Sequence, residues 1–190
     1  MTRTMLCRGG LILLFLTACI VLTPPPVAAD IYRARMLTGK APVEPPAVSI
    51  RIEIQSFTTP EEVQALQEAL NQGGMDAFLK AFQNMKKGVV RIMDRRGWNL
   101  PVHAALVVPH DKGRKILCFM LRQAWDPGAQ LVRTGADFFM VLELNLNEKG
   151  TGDGRLYEDA GINLRPQAGA IEMDKYGSAP KILIQASQVK

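Results

Sequence analysis

Cysteine, histidine and net charge are all scarce in this sequence. Three cysteines among 190 residues are too few for a disulfide scaffold, and their spacing is not that of zinc ligands. Two histidines leave little material for a transition-metal site, and no cofactor motif is present. Charged residues make up 22% and hydrophobic residues 47%, which excludes a largely disordered chain and a multi-span membrane protein. The longest apolar run, Leu11 to Leu22, falls short of the roughly 20 residues that a membrane-spanning helix needs, and Pro24, Pro25 and Pro26 prevent its extension.

That run follows Arg3 and Arg8 and precedes Val27-Ala28-Ala29, giving the charged head, apolar centre and small-residue cut of a secretory signal. Cleavage after Ala29 is expected, so residues 1–29 form a signal peptide and the mature chain is exported, periplasmic or secreted. A second reading is lipidation at Cys19, because Leu16-Thr17-Ala18-Cys19 matches a lipobox. Loss of Arg3 and Arg8 leaves 21 basic against 18 acidic residues, a net charge of +3. The basic doublets carry no interleaved aromatics, so nucleic acid is not an expected partner. No membrane span is expected in the mature chain.

Pro42, Pro45 and Pro46 make residues 30–47 read as a Pro-containing tether. A single domain is expected over 48–190. It opens on Val48, Ile50, Ile52 and Ile54, which alternate with polar residues as a half-buried strand does. Thr59-Pro60-Glu61-Glu62 then combines a helix N-cap, a proline at the first helical position and a capping-box glutamate. Gly73-Gly74 interrupts the helical pattern, and Phe78, Leu79, Phe82 and Met85 resume it, which predicts a helical hairpin. Beyond Gly88 short apolar runs separated by tight turns predict antiparallel strands. The expected class is α+β: a mainly antiparallel sheet or sandwich with one N-terminal helical hairpin.

Chemistry is hard to find. Cys118 lies in an apolar strand, Ile116 to Leu121, where burial disfavours a thiolate, and neither His103 nor His110 stands in a recognisable relation to it. Asp94, Glu143, Glu158 and Asp159 lie near strand ends, where solvated turn acids are common. Gly150, Gly152 and Gly154 run from strand to strand, whereas a phosphate cradle needs a helix N-terminus behind it. No catalytic or metal-ligating residue is assigned. The candidate ligand-binding residues are Phe78, Phe82 and Met85 on the second helical segment, with Trp98 and Trp125 as amphipathic lining.

Several blocks, among them Glu61-Glu62-Val63, Leu70-Asn71-Gln72-Gly73-Gly74, Gly88 to Ile92 and Phe139 to Leu144, resemble those of an uncharacterised group of small exported bacterial proteins. The resemblance implies export and one domain, and transfers no catalytic position. The expected function is a non-enzymatic exported domain that binds an apolar small molecule or an envelope protein. The alternative is an extracytoplasmic hydrolase using a carboxylate or Cys118.

Overall fold

The computed structural model describes residues 29–37, 47–93, 99–122 and 139–189. The expected signal segment up to Ala28, together with Cys19, Asp94, Trp98 and Trp125, lies outside them. Ten strands and one α-helix follow in order: β1 (Asp30–Leu37), β2 (Ala47–Ile54), α1 (Pro60–Asn84), β3 (Gly88–Ile92), β4 (Asn99–Val102), β5 (Ala104–His110), β6 (Gly113–Leu121), β7 (Phe139–Asn147), β8 (Thr151–Arg165), β9 (Ala170–Tyr176) and β10 (Lys181–Val189).

All the strand pairs are antiparallel, in the order β4-β3-β2-β1-β10-β8-β7-β6-β5, with β9 joined to β8 alone. The two ends of this order, β4 and β5, are separated along the chain only by His103, so the sheet curls until they meet. At the junction the Lys87 amide donates to the Val102 carbonyl on one side and the His103 amide to the Phe119 carbonyl on the other, each at 2.9 Å. Taking β4 and β5 as one bent strand and setting β9 aside, eight strands enclose the interior.

Alternation decides which side chains go inside. Tyr32, Ala34 and Met36 of β1 point inward, as do Val48, Ile50, Ile52 and Ile54 of β2, Cys118 and Met120 of β6, and Met140, Leu142 and Leu144 of β7. They fill the barrel, as expected where eight strands leave room for little beyond their own side chains. The alternate residues of β5 to β8, including Ala104, Phe119, Phe139, Val141 and Tyr157, form a second core on the outer wall beneath α1.

The antiparallel sheet agrees with the sequence, but the expected helical hairpin does not form. One helix runs from Pro60 to Asn84, and only Gly74 (φ 66°, ψ −158°) leaves the helical region inside it. One residue kinks a helix, whereas reversing its direction takes a loop of about two to five. Both halves consequently lie over the same wall, with Val63 and Leu66 of the first half and Phe78 and Phe82 of the second in one core.

Residues 30–37, read from the sequence as part of a tether, are β1, paired on both edges with β2 and β10. The prolines responsible for that reading all follow Leu37. No helix among the described residues is long and apolar enough to cross a membrane.

Candidate functional site

The start of α1 is tied to the barrel by polar contacts. Thr59 accepts from the Glu62 amide at 3.4 Å while Glu62 Oε2 accepts from the Thr59 amide at 2.9 Å, completing the capping box. The other oxygen of Glu62 meets Lys87 Nζ at 2.7 Å, and this buried ammonium also donates to the Phe57 carbonyl at 3.3 Å. Thr58 bonds Ala105 of β5 twice: its amide donates to the Ala105 carbonyl and its hydroxyl accepts from the Ala105 amide. Together these contacts hold the start of the helix in place.

Phe78 and Phe82 stack at 5.8 Å, and Phe139 meets both edge-on, at 6.1 and 5.4 Å. Both rings are buried, and Met85 packs against the same core. Phe78 also borders a crevice of about 190 Å³ between the helix and β8, lined in addition by Leu70, Met75, Phe139, Ile162 and Leu164. Phe82 and Met85 do not line it. The structure therefore brings three of the candidate ligand-binding residues into one packed layer under the helix; the other two, Trp98 and Trp125, are outside the described residues.

Cys118 is fully enclosed in the barrel, and burial pushes its thiol up to about 12. His103 lies on the helix side, its ring 5.3 Å from Phe82. Its Nδ1 is 3.1 Å from the Met85 carbonyl, which can only accept, so Nδ1 carries a proton there. Burial holds the imidazole below its ordinary pKa, which the bond to Met85 partly opposes. The three strand-end acids among the described residues are engaged: Glu143 with Lys115 at 3.3 Å, Glu158 with Lys181 at 2.5 Å, and Asp159 with Arg122. No cluster of three or more histidine, cysteine or acidic residues able to hold a metal occurs among the described residues.

The outward faces of β1, β2 and β3 are different in kind. Arg33 stands directly opposite Arg51 across the β1–β2 pair, and Arg51 opposite Arg91 across β2–β3. Arg35 points outward two residues along β1 from Arg33. Directly opposed side chains on adjacent antiparallel strands have Cβ atoms about 4.5–5.5 Å apart, and like charges so placed destabilise a sheet.

Glu53 is the carboxylate paired with this row, 2.8 Å from Arg51 and 3.3 Å from Arg91. Arg51 Nε is buried and, despite that short contact, has no aligned hydrogen-bond acceptor. Arg33 and Arg35 are exposed and take part in no ion pair with a described residue.

A groove of about 500 Å³ runs beside the row, lined by Arg33, Arg35, Ser49, Arg51, Met93 and Gln185. Gln185 lies at a bulge of β10, where the register with β1 and β8 shifts, and has φ of 54°. A non-glycine residue in that region is uncommon, and a bulge re-aims the side chain it carries.

Sequence reasoning missed this surface because two of its arginines lay in the supposed tether. The local signal was there in Tyr32-Arg33-Ala34-Arg35-Met36, an alternation of the kind that marks β2. Compared with protein-family models, curated proteins and solved structures, the chain matches none.

Proposed function

We propose that this is an exported, non-enzymatic binding domain whose working surface is the outer wall formed by β10, β1, β2 and β3, and that its target is anionic. The observation that supports this reading is the row Arg33, Arg51 and Arg91, flanked by Arg35 and matched, among the described residues, by the carboxylate of Glu53. Aligned guanidinium groups cost a sheet stability, and an anion seated among them converts that repulsion into attraction.

The interior offers a ligand less, because its volume is taken by the protein's own side chains. The crevice at Phe78, about 190 Å³, is smaller than the roughly 300–1,000 Å³ usual for ligand sites. The non-enzymatic reading is supported by the state of Cys118, whose thiol is protonated at neutral pH and sealed from substrate, so that it is a poor nucleophile. Export rests on the N-terminal signal. A cut after Ala29 would leave β1, which starts at Asp30, whole.

Two experiments test the reading. On a sulfated-dextran column, wild type should elute at higher salt than the Arg33→Gln/Arg35→Gln double variant, since exposed charge contacts are screened by salt. Equal elution would rule out this wall as the anion-binding surface. Intact-mass analysis after expression of the full chain in a bacterial host should give a chain beginning at Asp30, and an acylated Cys19 would replace that route with membrane anchoring.

A further inference from the structure

We infer that the groove between β10, β1 and β2 binds an organic phosphate, that is, a phosphate group on a small carbon body. This inference rests on the outer wall being the working surface and narrows its target to one chemistry. Three guanidinium groups, those of Arg33, Arg35 and Arg51, line one groove. A carboxylate offers two oxygens and one charge, which a single guanidinium fork satisfies; a phosphate monoester offers three terminal oxygens and nearly two charges. Three forks on one cavity therefore match a phosphate better than a carboxylate.

Glu53 binds Arg51 and Arg91 and so holds the central guanidinium in place, while Arg33 and Arg35 form no ion pair with a described residue. The rest of the lining suits a carbon body. Met93 is 59% exposed and gives an apolar contact, while Gln185 adds an amide beside the arginines. The volume of about 500 Å³ falls within the range of small-molecule sites and exceeds the need of a bare inorganic ion. Gln185 reaches the rim through a left-handed residue at a bulge, a local cost of the sort that persists at ligand clamps.

The phosphate could belong to a soluble ester or to a phospholipid headgroup, and the test separates the two. Protein produced from the full chain is titrated calorimetrically with glycerol 3-phosphate, with succinate as a dicarboxylate control. It is also sedimented with phosphatidylcholine vesicles containing phosphatidic acid. The phosphate probe that binds should do so saturably. Arg33→Gln and Arg35→Gln should each weaken it by about tenfold, the loss of one charge-assisted hydrogen bond. Lys112→Gln, in the β5–β6 turn, should leave it unchanged.

Binding of glycerol 3-phosphate well above succinate assigns a soluble ester. Binding only to the vesicles, with the same arginine dependence, assigns a headgroup. The inference is overturned if succinate binds as tightly as glycerol 3-phosphate, if the arginine variants bind unchanged, or if neither phosphate probe binds. Should the arginine-dependent retention on sulfated dextran survive that failure, the outer-wall reading stands without the phosphate; should it vanish too, both fall.

Discussion

Inside the barrel Cys118 and Tyr32 share one constraint: water is excluded, so ionisation is disfavoured. Burial pushes both up to about 12, Cys118 from 9.0 and Tyr32 from 10.0, with Asp30 a lesser contributor for tyrosine. Above these ordinary values the unfolded chain has released protons that the folded chain retains. Stability from these groups is therefore complete below about pH 9 and falls as pH rises towards 12. Denaturant melts across that window should show the decline, and Cys118→Ala should make it shallower while lowering neutral-pH stability by about 1 kcal/mol. An unchanged alkaline slope in the variant would mean that the thiol is not sealed. His103 has the opposite sign. Its folded pKa lies below the ordinary 6.5, so its contribution is present above pH 6.5 and is lost as pH falls, because unfolding lets the ring take up a proton. His103→Asn should remove that acid-side loss, and a wild-type melting temperature flat from pH 7 to pH 5 would contradict the assignment.

At the scale of the element, the glycines show how much of the fold was legible. Gly73-Gly74 announces a break in the helix, and Gly74 does adopt a left-handed φ, yet the chain continues in the same helix beyond it. A glycine pair marks where helical geometry fails and leaves open how far the chain turns, which is settled by the wall beneath both halves. Gly74→Ala should destabilise the protein by about 1–3 kcal/mol, the cost of a Cβ at φ 66°, ψ −158°, a conformation essentially confined to glycine. If the variant is instead stabilised, the kink is not as described. Gly154 of β8 has a different role. A Cβ there would collide with the Glu143 carbonyl and, at 2.9 Å, with Leu144 Cδ2, so β7 and β8 approach where only glycine fits. Gly154→Ala should cost about 1–3 kcal/mol by overpacking, measured by urea unfolding. Gly150, read from the sequence as lying between strands, takes a φ of 74° in the β7–β8 turn, where Asn147 Oδ1 accepts from the Lys149 and Thr151 amides.

For the whole molecule, the feature hidden from the sequence is closure. Strand after strand from Gly88 onward could be read from alternation and turns, but alternation does not say that β4 and β5 are one strand bent at His103. Nor does it say that β1 inserts between β2 and β10. Those are long-range pairings such as Ile31 with Val189, and they decide the function proposed here. The pairing of β2 with β1 and with β3 aligns Arg33, Arg51 and Arg91, while closure gives apolar residues such as Met140 and Leu142 a filled interior in place of a pocket. Phe78 and Phe82 pack into the second core on the barrel's outside, which the helix alone does not reveal.

On the proposed function the molecule has a sealed inside and a working outside. Chemical-shift mapping during a glycerol 3-phosphate titration tests that division most directly. Perturbations are expected at the backbone amides of Arg33, Arg35, Arg51 and Gln185 and at the exposed methyl of Met93, with the methyls of Met120, Met140 and Leu142 inside the barrel unmoved. Perturbations concentrated on the interior methyls, or on Phe78 and Ile162 at the helix crevice, would contradict it.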